Sequence, residues 1–478
     1  MRFFLVFLFA SVLTISLSAR PKSYDSAVSI VGQPTFTSDV YHDPPTSRSL
    51  SEAEGVAIDP TSGKLFVADS SNNRILRFSS ASAYKNYAPA EAVFGQADFE
   101  SVEANRGGSP AADSLSYPAT ITMDGSGRLW VCDYNNSRVL RFDTAALKPS
   151  FTAAADAVIG LGGFEAATPA ANSDNITGFS RPAGIAIDSS GTLWVSDPDF
   201  FRVLRFDNAT SLPTIYSGPA SGSLGKIDGG MFVSDIGNNA FGARVWGLCV
   251  DSGGRLWVAD PSNHRVLAFF DPVTQPTAGL VLGQPDFDSN DLVSPPGPET
   301  MNNPYYVTVA PDGTAWVSDF TNYRVLGFLE AADKENGDPA DIVLGQPDFV
   351  TADGSGGYTA RKTTNPTQIA IGREGSLFVG EYSPASHVKR WSDPVTVSAP
   401  KAISIKRSNV VIKGRSSGAV AVEARIAGQG GFKPAKGPVS RWKVKAKGLE
   451  RKTTSVVVRA RAFDGRTAVA RVKVQREN

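Results

Sequence analysis

The chain has 478 residues with 47 basic and 47 acidic side chains, three histidines and two cysteines. That length supplies material for two or three domains, while so few cysteines exclude a disulfide framework and so few histidines argue against a His-rich metal centre. The net charge of zero hides an asymmetry: residues 394–478 hold 20 Lys plus Arg against 4 Asp plus Glu, and the residues before them hold 27 against 43.

Residues 1–19 carry one early charge, Arg2, an apolar run from Phe3 to Leu17, and small residues at Ser16, Ser18 and Ala19. This is the pattern of a cleaved secretory signal peptide, with the cut after Ser18 or Ala19. The run is too short for a membrane span, and no other anchor is expected. A secreted or periplasmic protein follows.

A repeated unit fills residues 20–393. Its clearest copy, Pro182 to Phe206, reads as three short strands, Gly184 to Ile187, Leu193 to Ser196 and Val203 to Phe206, joined by a Gly turn and an Asp corner. Copies begin at Gly55, Ala119, Gly184, Trp246, Tyr305 and Thr367. The acid closing the second strand falls at Asp69, Asp133, Asp197, Asp260, Asp319 and Glu381, spaced by 64, 64, 63, 59 and 62 residues. A second motif keeps the same beat, ending at Gln33, Gln96, Leu161, Lys226, Gln284 and Gln346, and supplies a fourth strand. Four-stranded sheets repeated six times imply a six-bladed β-propeller, which protects its sheet edges by radial closure. The first Gly-Gln strand precedes the first three-strand copy, and none follows the last. Residues 28–32 are therefore expected to complete blade six as a latch strand.

Linkers of roughly 20 residues, rich in Ser, Asp, Asn, Gly and Pro, join each fourth strand to the next blade. Propeller geometry places them on the same face as the Asp corners, the upper face, which is the expected binding surface. From residue 394 the chain alternates apolar and polar residues in short runs separated by Gly turns, the pattern of a β-sandwich. The expected fold is all-β throughout.

The pattern P-x-G-I-A-x-D-x-x-G-x-L-W-V-x-D-x-x-x-x-R-V-L-R-F resembles the NHL repeat family of six-bladed propellers over about residues 27–393. The Val281-Leu-Gly-Gln-Pro-Asp-Phe287 motif is similar to a variety found in secreted bacterial proteins. Val422 to Ile426, Trp442 and Val458 to Gly465 resemble bacterial immunoglobulin-like modules, so residues 394–478 are expected to form a basic immunoglobulin-like β-sandwich.

Acid and Arg recur five residues apart across each corner: Asp69 with Arg74, Asp133 with Arg138, Asp197 with Arg202, Asp260 with Arg265 and Asp319 with Arg324. A guanidinium fork at that spacing can clasp the corner or bind a ligand. Blade six lacks the Arg and has Glu381 and His387 instead. The aromatics Phe66, Trp130, Trp194, Trp257, Trp316 and Phe378 are expected to pack between blades. Gln33, Gln96, Gln284 and Gln346 are expected to hold loop backbone. Cys132 and Cys249 are expected to be buried free thiols. No nucleophile elbow or phosphate loop appears, and no catalytic residue, metal ligand or cofactor is assigned.

Two functions are compatible with these residues. The first is a secreted, non-enzymatic scaffold binding protein or polysaccharide through its upper face, with the basic C-terminal domain contacting anionic polymer. Nucleic acid is disfavoured because the propeller is acidic and the protein exported. The second is an extracellular metal-dependent hydrolase or lyase, lactonase-like or peptide-amidating-lyase-like, with its site in the central channel. Glu54 is the one carboxylate read at the entrance to that channel.

Overall fold

The computed structural model describes Ser23 and residues 25–391 apart from 82–83, 167–175, 356, 373–374 and 384–385, together with eight strands between Thr396 and Arg476. The signal-peptide stretch at 1–19 lies outside the described residues. Two compact units are formed, Lys22–Trp391 and a second that includes Ser392–Asn478.

The first unit is a six-bladed β-propeller. Blade one consists of Ala53–Ile58, Leu65–Asp69, Arg74–Phe78 and Ala92–Phe94, each antiparallel to the next. The same order is repeated from Pro118, Ile185, Leu248 and Pro304. Blade six takes Pro366–Ile371, Leu377–Glu381 and His387–Trp391 from the end of the unit and Ser29–Val31 from its beginning, with Ile30 opposite Lys389. Three more bonds run beside that pair: Val28 N to Arg390 O at 2.7 Å, Ala27 N to Ala360 O at 2.6 Å, and Trp391 Nε1 to Asp25 O at 3.2 Å.

The second-strand aromatics lie between blades. Phe66 of blade one sits in one apolar cluster with Ile121 and Leu129 of blade two, Trp130 with Ile185 and Leu193 of blade three, and Trp194 with Leu248 and Leu256 of blade four. Trp257, Trp316 and Phe378 repeat the arrangement onward, the last against Val56 of blade one. Such wedges bury large flat surfaces and set the angle between neighbouring sheets.

A ring of polar contacts also passes from each blade to the next. Ser70 Oγ donates to Pro118 O at 2.6 Å, Thr120 Oγ1 to Ala183 O, and Ser196 Oγ to Trp246 O at 2.8 Å. Gly247 N donates to Tyr305 O at 3.1 Å, Ser318 Oγ to Thr367 O at 2.5 Å, and Thr367 Oγ1 to Ala53 O at 2.6 Å, which closes the circle. First strands approach so closely here that a Cβ on Gly184 would stand 1.8 Å from Trp246 O. Only glycine fits that approach.

Two additions lie outside the period. Ile215–Tyr216 adds a parallel fifth strand beside Ala157–Ile159 of blade two, and Ile227–Asp228 pairs with Met231–Phe232 in the linker to blade four. In the second unit the strands form a three-stranded sheet of Thr396–Ser398, Val410–Ser417 and Arg441–Ala446, and a five-stranded sheet centred on Thr453–Arg461 and Thr467–Arg476. In the latter sheet Val456 and Val458 are buried.

Candidate functional site

In blades one to five the second strand ends in an Asp followed by a single 3-10 turn, and the residue after the turn is left-handed, for example Asn73 at φ 53° and Ser137 at φ 55°. This tight corner returns the chain so that Asp69 stands opposite Arg74. The five pairs close at 2.7 Å for Asp69–Arg74 and Asp133–Arg138, 2.8 Å for Asp197–Arg202, 2.9 Å for Asp260–Arg265 and 2.6 Å for Asp319–Arg324. All ten side chains are enclosed, with no exposed side-chain surface.

The remaining polar atoms of these pairs hold the linkers. Asp69 Oδ1 accepts from Ser51 N, and Asp133 Oδ1 from Ser116 N at 2.8 Å. Arg74 Nη2 donates to Thr46 O and Ser49 O at 3.0 and 3.1 Å, while its Nη1 reaches Phe99 O in the following linker. One guanidinium thus ties a corner to the linkers on both sides of it. The linker glutamines act alike within each loop: Gln33 Nε2 bonds Val40 O at 2.9 Å, Gln284 Nε2 bonds Asp291 O at 3.0 Å, and Gln346 Nε2 bonds Asp353 O at 3.1 Å.

Blade six rebuilds the corner with other chemistry. His387 Nε2 lies 2.9 Å from Glu381 Oε2, and Lys389 Nζ lies 3.0 Å from Glu381 Oε1, all three side chains fully enclosed. Lys389 Nζ also donates to Lys362 O at 2.5 Å, as the Arg of other blades does to its linker. Burial alone would raise the Glu381 carboxyl, but Lys389 and His387 beside it hold it at about 2. The cation missing from the repeat pattern is therefore present two residues beyond His387. Cys132 is buried, Cys249 is half-buried, and both are free.

Above these corners, at the channel mouth, is a cavity of about 580 Å³. Its wall is a chain of aromatic rings: Tyr117–Tyr134 at 5.9 Å between centroids, Tyr134–Trp246 at 5.9 Å, Trp246–Tyr305 at 4.9 Å, Tyr305–Phe320 at 4.9 Å and Phe320–Tyr382 at 6.2 Å. The rings come from two positions of the repeat. Tyr117, Trp246 and Tyr305 stand at the entry to a first strand, while Tyr134, Phe320 and Tyr382 follow the corner acid. The sequence reading missed the corner positions, although the residue after the acid varies from copy to copy: Ser70, Tyr134, Pro198, Pro261, Phe320 and Tyr382.

Charged groups stand among these rings. Arg181 binds Asp199 through two bonds of 2.7 and 2.8 Å and lies 5.4 Å over the Tyr134 ring. Tyr117 Oη is 3.2 Å from Glu52 Oε2 and 3.3 Å from Glu54 Oε1, so the mouth holds two neighbouring carboxyls where the sequence reading placed one. Glu54 is 1% exposed and Trp246 8% exposed, and neither Glu54 Oε2 nor Trp246 Nε1 has a hydrogen-bond partner among the described residues. Burial pushes the Glu54 carboxyl up to about 8, Glu52 adds to the rise, and the Tyr117 hydroxyl opposes it. At neutral pH Glu54 therefore carries its proton.

The channel is stoppered below the mouth. Gln368 Oε1 accepts from Val56 N at 3.0 Å and Ile121 N at 3.2 Å, and its Nε2 donates to Ile121 O at 2.7 Å and Tyr306 Oη at 2.8 Å. A smaller cavity of about 180 Å³ lies among first-strand residues on the far side. Among the described residues, no group of three or more His, Cys, Asp or Glu side chains is arranged to hold a metal ion, and no helix is long and apolar enough to cross a membrane.

Comparison with known proteins places repeats on this frame. The NHL repeat model matches residues 50–78, 115–142 and 243–269, which cover the first three strands of blades one, two and four. Teneurin-4 of Homo sapiens is 22% identical over 302 residues, and Teneurin-1 of Mus musculus 23% identical over 290. These stretches are 58% and 56% of this chain but only 10% of each relative, so the chain spans about a tenth of their length. Among solved structures, the streptogramin B lyase structure aligns at 11% identity and a TM-score of 0.41, over 74% of this chain and 98% of the other. The structure of U3-55K aligns at 12% and 0.42, over 72% and 77%. The chain carries NHL repeats built into a six-bladed β-propeller.

Proposed function

We propose that the protein is an exported, non-enzymatic propeller that binds a protein or glycan ligand at the mouth of its upper face. The observation that carries this reading is the cavity itself: a continuous aromatic wall with a few convergent polar groups, two of them buried and unpartnered. Ligand sites combine large apolar contact area with a small number of polar groups that fix orientation. Unsatisfied buried polar atoms are costly to maintain unless something else supplies their bonds.

The rest of the chain serves this site. The strand Ser29–Val31 acts as a latch that locks the ring, and the linkers are pinned to the corners so that the mouth keeps its shape. Residues 394–478 act as an immunoglobulin-like module, and its excess of positive charge draws it to anionic polymer. Cleavage of residues 1–19 releases the protein into the periplasm or medium. The metal-dependent hydrolase or lyase reading has the Glu52 and Glu54 carboxyls to draw on at the mouth, and no further metal-binding side chain is arranged with them among the described residues.

The test is to present the purified protein to immobilised saccharide and peptide arrays beside a Tyr134→Ala/Tyr382→Ala variant. Specific wild-type signals that the variant loses at least tenfold support a mouth site. Signals that are equal in both proteins would remove it.

A further inference from the structure

We infer that the mouth recognises a carboxylate on an acidic saccharide, with Arg244 and Trp246 of blade four as its receiving groups. The inference rests on the reading of the mouth as a ligand site and names what enters it.

The mouth presents hydrogen-bond donors that nothing among the described residues matches. Arg244 and Trp246 are two residues apart at the entry to the first strand of blade four, and both line the cavity while Val245 between them is buried. Alternation along an extended segment puts them on one face. Both side chains are donors with no acceptor capacity. Trp246 Nε1 is buried with no partner, and Arg244 is exposed and forms no ion pair with a described residue. The ligand must therefore bring acceptors.

The carboxylates of Asp199 and Glu52 are already committed within the mouth. Asp199 is held by Arg181 and by Ser180 Oγ at 2.8 Å. Glu52 accepts from Ser71 Oγ and from Tyr117 Oη. Glu54 is protonated at neutral pH, in the company of Glu52 and Tyr117, and adds a donor of its own. With Arg181 paired to Asp199 and Glu54 uncharged, Arg244 is the cation of the lining that has no ion-pair partner among the described residues. A carboxylate accepts two parallel bonds from a guanidinium, and its second lone pairs suit an indole N–H.

The aromatic wall selects the body that carries this carboxylate. Trp246 and Tyr305 stand 4.9 Å apart, and Arg244 acts electrostatically on both Tyr305 and Tyr134. The acid-binding groups are thus embedded in ring surface, on which the C–H faces of a pyranose can rest while its hydroxyls meet Glu54, Asn135 and Asn303. A uronic acid joins that carboxylate to that ring within one residue.

The test is calorimetric titration of the full chain in physiological salt with digalacturonate, diglucuronate and dimannuronate. Short acids are used because the basic second unit would attract a long polyanion on charge alone. At least one of the three is expected to bind, and its methyl ester, which keeps the ring but not the charge, at least tenfold more weakly. Arg244→Gln should lose at least tenfold, and Trp246→Phe, which keeps the ring but not the N–H, should lose several-fold. The ester matching the acid, either variant matching wild type, or failure of all three acids to bind would overturn the inference. If a neutral saccharide or an acidic peptide binds instead and Tyr134→Ala/Tyr382→Ala abolishes it, the mouth remains the site and only the acidic-sugar assignment falls.

Discussion

Arg138 Nε stands 2.7 Å from Asp133 Oδ2 in a corner where neither side chain reaches solvent. Asn136 Nδ2 shares the same carboxylate oxygen at 2.7 Å, and Ser116 N takes the other. Removing one partner of such a pair strands a buried charge and costs about 3–5 kcal/mol. Asp133→Asn is therefore expected to lower the unfolding free energy by that order in urea melts. Asp133→Asn/Arg138→Met should recover a substantial part of the loss, because no unpaired charge remains. Equal stability of wild type and Asp133→Asn would mean that the corner is not held by this pair.

Blade six should respond to acid through Glu381. Its carboxyl is held at about 2, below the ordinary value near 4.5. A depressed carboxyl contributes stability that is present above the unfolded value and is lost as pH falls through the folded value. The advantage of wild type over Glu381→Gln should therefore be flat above about pH 5 and shrink toward pH 2, by on the order of 3 kcal/mol. An advantage independent of pH over that range would contradict the Lys389–Glu381–His387 arrangement.

Glu54 should behave in the opposite sense. With its carboxyl raised to about 8, the folded protein holds a proton that the unfolded chain gives up above about pH 4.5. Wild type should accordingly lose stability relative to Glu54→Gln as pH rises from about 4.5 to 8 and level off above that, on the order of 5 kcal/mol in total. The groups facing Glu54 are Glu52, Tyr117, Tyr134, Tyr305 and Tyr382, and the tyrosines stay neutral throughout. A pH-independent difference between the two proteins would place Glu54 in water.

The strand Ser29–Val31 gives a fourth expectation. Ile30 and Val31 are buried against blade six, and burial of two such side chains is worth roughly 3–6 kcal/mol. A chain starting at Pro34 should unfold at lower temperature by that measure, and a peptide of residues 25–33 added in excess should restore the midpoint. An unchanged midpoint in the truncated chain would show that this strand does not hold the ring.

Much of this architecture is legible in the sequence because it depends on things that repeat. The five-residue spacing of Asp69 and Arg74 survives in five blades, and a periodic requirement leaves a periodic trace. Lys389 escaped because it reaches Glu381 from another position on the third strand, two residues beyond His387, so aligning the copies showed only a missing Arg. The aromatic mouth escaped for the contrary reason. Tyr134, Phe320 and Tyr382 occupy a corner position that has no common residue, and Tyr117, Trp246 and Tyr305 come from two offsets of another. Their meeting is set by the radial arrangement of blades, which brings Tyr134 of blade two against Trp246 of blade four. The sequence reading looked for function in the long linkers, whereas clasps and glutamines hold much of their backbone, and the unmatched polar atoms lie at the strand entries.

Blocking the mouth is the most direct test that it is the recognition surface. Ala243 is exposed on its rim, and Ser126 is exposed at a lower-face turn. Ala243→Cys and Ser126→Cys can each be labelled with a bulky maleimide and presented to the saccharide and peptide arrays. Labelled Ala243→Cys should lose binding at least tenfold, while its unlabelled form and labelled Ser126→Cys retain it. Undiminished binding by labelled Ala243→Cys would contradict a ligand site at the channel mouth.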